Sequence, residues 1–139
     1  RGSNFLLTMR KLAQNRKQIK VVDDQTGGPT WSRSIAEGTA HILKQNLGTT
    51  KSPIFPHQGI FNMSCGGETN WFGFANKIFE LSGLSKSVEL IPIPTIEYPT
   101  PAVRPQYSLL SNSKLKQAFD YEMPQWQEAL QECLDSVPK

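Results

Sequence analysis

The chain has 139 residues, of which 37% are hydrophobic and 19% charged, and its formal net charge is +3. This length and hydrophobic content suit one folded domain and argue against a wholly disordered chain. The positive charges are spread along the sequence, and no apolar run has the length of a membrane span or the form of a signal sequence. We therefore expect a cytoplasmic protein with neither a nucleic acid nor a membrane as its partner.

The first two predicted elements are an amphipathic helix and a short strand. Apolar residues recur at helical spacing after Arg1-Gly2-Ser3, which predicts a helix from Asn4 to Asn15. The β-branched run from Ile19 to Val22 predicts a strand.

The strand leads directly into a glycine-rich and proline-containing stretch, Asp23-Asp24-Gln25-Thr26-Gly27-Gly28-Pro29-Thr30-Trp31. The two glycines can take backbone conformations closed to other residues, and the proline fixes the exit of the loop. In open α/β sheets ligands bind at the carboxyl ends of strands, so the stretch fits a ligand-binding loop. It fits a tight strand-to-helix turn without a ligand equally well.

A second helix and a second strand are predicted next. Residues Ile35, Ala36, Thr39, Ile42 and Leu43 repeat at helical spacing, which predicts a helix to about Gln45 with this face in the core. Thr30 or Ser32 could cap it, and Ser34 with Glu37 resembles a capping box. The residues from Asn46 to Gln58 are predicted to form a loop, and those from Gly59 to Ser64 a buried strand.

The third predicted helix is rich in aromatic residues. Trp71, Phe72, Ala75, Ile78 and Phe79 lie along one side of it, and Gly83 is expected to end it. Such residues could form a stacking platform for a nucleobase, but their recurrence on one face favours a place in the core.

The two cysteines are too few and too far apart for a disulfide framework or a metal signature. We expect both cysteines to be small buried residues with inert thiols; Cys133 lies in an apolar helical stripe, and Cys65, at a strand end, could be partly exposed.

The later part of the chain contains a short strand, a proline-rich segment and two helices. Residues 88–93 are predicted to form the strand, and Pro92 and Pro94 indicate an edge position or a strand end. Five prolines between Pro92 and Pro105 exclude a regular helix and predict a stiff extended loop. A short helix from Ser111 to Phe119 and a last helix opened by Pro124 are predicted to follow.

Arg104 is the most informative charge in the proline-rich segment. A guanidinium group can bind two phosphate oxygens at once, which suits the diphosphate of a nucleotide sugar. A surface arginine or one paired within its own loop remains the alternative.

Three blocks of sequence occur in the order and at the spacing typical of one family. They are Asp24-Gln25-Thr26-Gly27-Gly28-Pro29-Thr30, Tyr98-Pro99-Thr100-Pro101-Ala102-x-Arg104-Pro105-x-x-Ser108-x-Leu110, and Pro124-Gln125-Trp126. The chain therefore resembles the dTDP-4-dehydrorhamnose reductases, which are extended short-chain dehydrogenases. The resemblance covers essentially the whole chain and the C-terminal half of the family.

The resemblance implies a fold and a function. The expected fold is the C-terminal portion of an α/β, Rossmann-like short-chain dehydrogenase, with two or three short strands and about five helices, in which residues 1–139 form one sugar-nucleotide-binding unit. The whole enzyme would reduce dTDP-4-dehydro-L-rhamnose with NADPH, for cell-surface polysaccharide synthesis. The resemblance implies substrate contacts from Asp24, Gln25, Pro29, Thr30, Trp31, Tyr98, Thr100, Arg104 and Ser108.

The catalytic motifs of that family are missing from the sequence. It has no Gly-x-x-Gly-x-x-Gly, and the residues four after Tyr98, Tyr107 and Tyr121 are not lysines. We therefore expect the chain alone to be inactive, with NADPH bound by a missing N-terminal half. Magnesium accompanies the family, but no carboxylate cluster identifies a site for it.

The expected partners are a dTDP-sugar and either the missing half or a second copy of the chain. Uncovered strand edges and apolar faces would favour either association. The alternative is a non-catalytic regulatory or binding subunit of the same fold, similar to the β subunit of methionine adenosyltransferase.

Overall fold

The computed structural model describes residues 4–47 and 57–136. Over these residues the chain forms five α-helices, four short strands and one 3₁₀ turn. In order these are α1 (Phe5–Asn15), β1 (Gln18–Val22), β2 (Thr26–Gly27), α2 (Ser32–Leu47), β3 (Thr69–Asn70), α3 (Trp71–Leu81), β4 (Glu89–Ile93), the 3₁₀ turn (Thr95–Glu97), α4 (Ser113–Phe119) and α5 (Trp126–Asp135).

A parallel pair of strands, β1 and β4, is the largest sheet in the described residues. Gln18 lies opposite Glu89, and the register continues to Val22 opposite Ile93. Ile19 and Val21 point to the same side and are buried, as expected for alternate residues of a strand with one face in the core. The predicted strand at Ile19 and the α/β class are therefore confirmed.

Helix α3 lies at the centre of the core. It contacts α1, β1, β4 and α5, and its residues Ala75, Ile78 and Phe79 are almost fully buried. Gly83 ends it with φ +70°, and the amide of Leu84 donates to the Phe79 carbonyl oxygen at 2.8 Å. This bond across a left-handed glycine is the Schellman arrangement, and the predicted end of the helix at Gly83 is confirmed.

The predicted strand from Gly59 to Ser64 is wrong. Gly59 has φ +126°, Ile60 is 86% exposed, and the segment is irregular. Its backbone bonds to a side chain instead of to another strand: Asn112 Nδ2 donates to the Ser64 carbonyl oxygen at 2.5 Å, and Asn112 Oδ1 accepts from the Ser64 backbone amide at 3.1 Å. Polar groups of the backbone are thus satisfied without a sheet.

The predicted core face of α2 is also wrong. Ile35 and Leu43 are 39% and 40% exposed, whereas Ser34 and Gly38 are buried. At Gly38 an added Cβ would lie 2.9 Å from Tyr121 Cε1 and 3.3 Å from Met123 Sδ, so the helix packs through its smallest residue. Ser34 lies inside the helix, not at its cap.

The first and last helices agree with their predicted positions. Asn4 caps α1 by accepting from the Leu7 amide at 2.9 Å. Helix α5 begins after Pro124, with the Gln125 amide donating to Glu128 Oε2 at 3.1 Å. Val137, predicted for its apolar stripe, lies outside the described residues, as does most of the predicted loop at 46–58. Among the described helices, none is long and apolar enough to span a bilayer.

Candidate functional site

The two loops that carry the main sequence motifs lie side by side. The Thr26 amide donates to the Gln106 carbonyl oxygen at 2.7 Å, and the Ser108 amide donates to the Thr26 carbonyl oxygen at 2.9 Å. Thr26 and Tyr107 therefore form a parallel β-bridge. Segments separated by about 80 residues in sequence become one rigid unit at the end of the β1 and β4 pair.

Asp24 ties the same loop to the end of β4. Its carboxylate accepts from the Thr95 amide at 2.9 and 3.0 Å and also from the Thr95 hydroxyl. The hydroxyl bond, helped by the amide bond, lowers the pKa of Asp24 below its ordinary value. The Asp24 carboxylate therefore stabilises the conformation of the loop.

A third segment, residues 66–70, completes this unit. Strand β3 pairs antiparallel with β2, with Thr26 opposite Asn70. The Asn70 side chain donates to the Asp23 carbonyl oxygen at 2.6 Å and accepts from the Gly73 amide at 2.7 Å, so it fixes the start of α3 beside the loop. The Tyr107 hydroxyl donates to Glu68 Oε2 at 3.1 Å, which raises the pKa of Tyr107.

The two glycines of the first loop are needed for close packing. Neither has a positive φ. A Cβ on Gly27 would lie 2.9 Å from Ser108 Oγ, and one on Gly28 would lie 3.2 Å from Leu109 Cδ1. The glycines let the two motif loops approach each other.

A cavity of about 740 Å³ opens beside these loops. Helix α1 contributes its first turn, helix α3 its start, and helix α5 one of its faces. Of the nine residues that the sequence suggested as substrate contacts, six line the cavity: Gln25, Pro29, Thr30, Trp31, Arg104 and Ser108. The structure thus brings together residues from both motif loops around one space.

The other three suggested residues do not line this cavity. Asp24 is bonded to Thr95. Tyr98 is 59% exposed, and the Thr100 hydroxyl donates to the Ala102 carbonyl oxygen at 2.9 Å. Thr30 lines the cavity but also has a structural role, since its hydroxyl accepts from the Cys65 amide and donates to the Gly28 carbonyl oxygen, both at 3.1 Å.

Four aromatic residues outside the nine suggested substrate contacts also line the cavity: Phe5, Trp71, Phe74 and Trp126, called here the aromatic wall. Their rings touch in series, with centroids 4.7 Å apart for Phe5 and Trp71, 5.5 Å for Phe5 and Phe74, and 5.9 Å for Phe74 and Trp126. The predicted core position is wrong for Trp71, which is 39% exposed. Its position as the first residue of α3, next to the cap, is the sequence signal that could have placed it at the rim.

The polar groups of the cavity include two that are without partners. Arg104 forms no hydrogen bond or ion pair with the described residues. Trp126 is 6% exposed, and its Nε1 has no acceptor within the part of the chain that the structure describes. A buried donor without an acceptor costs free energy, so an acceptor supplied by a bound molecule would be favoured.

The two cysteines differ from each other in exposure. Cys65 is 2% exposed, as expected for a small buried residue, and its amide donates to the Thr30 hydroxyl in the packed loop. Cys133 is half-buried at the cavity, and burial raises the pKa of its thiol. Burial thus limits access to Cys65, and the raised pKa disfavours the reactive thiolate of Cys133.

A metal site finds no support in the structure. Within residues 4–47 and 57–136, no three His, Cys, Asp or Glu side chains come close enough together to hold an ion. The described residues therefore contain no such group for the magnesium that the resemblance implies.

Nearly the whole chain is similar to known proteins. A family model described as RmlD substrate binding domain matches residues 1–138. A dTDP-4-dehydrorhamnose reductase of Burkholderia thailandensis is 43% identical, over 96% of this chain and 47% of that protein. The crystal structure of a dTDP-4-dehydrorhamnose reductase from Bacillus anthracis in complex with NADP matches with a TM-score of 0.82 and 30% sequence identity. That of a dTDP-4-dehydrorhamnose reductase from Clostridium acetobutylicum matches with a TM-score of 0.79 and 33% sequence identity. The matches cover 99% and 96% of this chain and 44% of each structure, so the chain spans slightly less than half of these relatives.

Proposed function

Because the chain belongs to the RmlD substrate binding domain family, we propose that it forms the sugar-nucleotide-binding part of a dTDP-4-dehydrorhamnose reductase. In this proposal residues 1–139 act as one unit, and the whole enzyme reduces dTDP-4-dehydro-L-rhamnose to dTDP-L-rhamnose. The requirement for NADPH and the cytoplasmic location belong to the same proposal and rest on the family resemblance.

The observation that carries the proposal is the cavity shared by the two motif loops. It combines an unpaired guanidinium, that of Arg104, with hydroxyl groups and an extended aromatic surface. A nucleotide sugar has the matching parts, namely a diphosphate, polar rings and a flat base. Few precisely placed polar groups in a largely apolar pocket are the usual way to orient such a ligand.

Arg104 is the proposed diphosphate contact. Its fork of donors can bind two phosphate oxygens, and it is not occupied by a carboxylate of the described residues. Pro105 follows it directly and lines the same cavity. A proline-stiffened segment presents the arginine with little ordering cost on binding.

The reduction itself is assigned to residues outside this chain. The sequence contains neither a Tyr-x-x-x-Lys pair nor a glycine-rich dinucleotide turn. Here the chain's residues bind and orient the sugar nucleotide, so that its keto carbon faces the cofactor held by the rest of the enzyme. The similar protein from Bacillus anthracis was crystallised with NADP. The regulatory-subunit alternative has no observation in its favour in this site.

The test is a calorimetric titration of dTDP and of dTDP-L-rhamnose into the purified chain. We expect saturable binding that weakens about 10- to 150-fold in Arg104→Ala, since a hydrogen bond to a charged group contributes about 1.5–3 kcal/mol. The matched control is Arg16→Ala, which removes an exposed arginine at the far end of α1 from the cavity. A folded chain that binds neither ligand, or that loses equal affinity in both variants, would contradict the proposal.

A further inference from the structure

A hydrogen-bonded series runs from Asp24 to the rim of the cavity. The Thr95 hydroxyl donates to Asp24, Gln25 Nε2 donates to Thr95 Oγ1 at 2.9 Å, and Trp71 Nε1 donates to Gln25 Oε1 at 3.2 Å. Four residues from three separate segments are thereby joined, and the series ends on the partly exposed indole.

The series has only one possible direction. A hydroxyl can donate one hydrogen bond, and Thr95 donates its bond to the ionised carboxylate of Asp24. Toward Gln25 the hydroxyl oxygen can therefore only accept. Gln25 must then turn its amide nitrogen to Thr95 and its carbonyl oxygen away from it. That oxygen is placed to accept from the indole, which can only donate. The carboxylate of Asp24 therefore orients the Trp71 indole through the side chains of Thr95 and Gln25.

The indole is held at the surface of the cavity and not in the core. Trp71 is 39% exposed, whereas Phe79 on the same helix is 1% exposed. The Phe5 ring supports it at 4.7 Å, tilted by 49°. A large aromatic ring that is fixed at its nitrogen, supported by a second ring and open toward a cavity is suited to stacking on a flat ligand.

We propose that Trp71 stacks on the pyrimidine base of the bound nucleotide, and that Asp24, Thr95 and Gln25 are positioning residues for this ring. The proposal rests on the proposed function and adds to it the binding surface for the base. Arg104 is the candidate for the diphosphate, so the cavity has one group for each end of a nucleoside diphosphate. Asp24 and Gln25 then act through Trp71, even though they belong to the loop motif.

The experiment measures dissociation constants of dTDP and dTDP-L-rhamnose for the wild-type chain, Trp71→Ala and Trp71→Phe. We expect Trp71→Ala to weaken both ligands by roughly 5- to 150-fold, the range for losing one base–aromatic stack. Trp71→Phe keeps a ring but loses the hydrogen bond to Gln25, so its affinity should lie between those of the wild type and Trp71→Ala. Binding should quench tryptophan fluorescence in the wild type and less in Trp71→Phe, in which Trp31 and Trp126 are the tryptophans that remain at the cavity.

The positioning residues are tested with a matched pair of substitutions. Thr95→Val has nearly the same shape but cannot accept from Gln25 or donate to Asp24, and we expect weaker binding and a smaller fluorescence change. Thr95→Ser keeps the hydroxyl and should restore both. If Thr95→Val binds and quenches like the wild type, the positioning role is refuted.

Several outcomes would overturn the assignment of the base. Unchanged affinity for dTDP in Trp71→Ala refutes it, and so does a loss confined to dTDP-L-rhamnose, which would place the hexose against the indole. In either case a loss of affinity in Arg104→Ala would still support the proposed function. If the folded wild-type chain binds neither ligand, the proposed function itself fails.

Discussion

Replacing Gly67 by alanine tests how tightly the loop at residues 66–70 is packed on α5. Gly67 has φ +79°, and a Cβ there would lie 3.0 Å from Gln125 Oε1 and 3.1 Å from Trp126 Cδ1. Gly83 is the matched control, because its φ is +70° and an added Cβ would meet no atom within 4 Å. The two substitutions share the cost of a left-handed alanine, but only one of them adds a collision.

The magnitudes follow from these two geometries. A left-handed alanine costs about 1–2 kcal/mol, and the less flexible unfolded chain offsets about 0.4–1 kcal/mol of that. Gly83→Ala should therefore lower the free energy of unfolding by about 1 kcal/mol. Gly67→Ala should lose roughly a further 1–3 kcal/mol, since the rigid indole of Trp126 cannot move away without disturbing the core.

The assay is urea unfolding monitored by circular dichroism for the wild type and the two variants. The dependence of the unfolding free energy on urea concentration is compared among them, because a changed slope would reveal a changed unfolded state. The Trp126 ring also lines the cavity, so Gly67→Ala should weaken ligand binding more than Gly83→Ala does. Equal destabilisation by the two substitutions would refute the close packing of Gly67 against α5.

Two further predictions concern ionisable groups. The pKa of Asp24 is lowered in the folded chain by its hydrogen bonds to Thr95, so the ionised carboxylate stabilises the fold. This stabilisation is complete above the unfolded pKa of about 3.9, and it is lost as pH falls through the lower folded pKa. Urea midpoints measured between pH 6 and pH 2 should therefore fall more steeply in the wild type than in Thr95→Val; parallel curves would contradict the role of this bond. Burial raises the pKa of Cys133, and Cys65 is almost inaccessible. A thiol reagent at pH 8 should thus label Cys133 slowly in the native chain and both cysteines rapidly in urea. Fast labelling of both cysteines in the native chain would contradict this.

Much of the fold could be predicted from the sequence because its signals are local. The helical spacing of apolar residues predicted α1, α3 and α5, the β-branched run predicted β1, and Gly83 predicted the end of α3. Family membership also follows from short blocks of sequence, and the comparisons confirm it. The α/β fold corresponds to the C-terminal portion of similar reductases.

Where the sequence failed, the deciding contacts come from distant parts of the chain. The apolar face of α2 suggested a core position, but Gly38 allows Tyr121 and Met123 to approach so closely that the side of Ser34 and Gly38 is buried instead. The segment at 59–64 looked like a strand, but Asn112, about 50 residues away, bonds its backbone.

The same division applies to the candidate site. The sequence alone suggested which two loops would carry it, since the residue types of the motifs are local, and it singled out Arg104 as the most informative charge. Only the tertiary structure placed the loops together through Thr26, directed Asp24 to Thr95 and brought Trp71 to the rim of the cavity. Hydrogen bonds between residues some 45 to 80 positions apart leave no periodic trace in a sequence, so the contacts that orient the site became visible only in the folded chain.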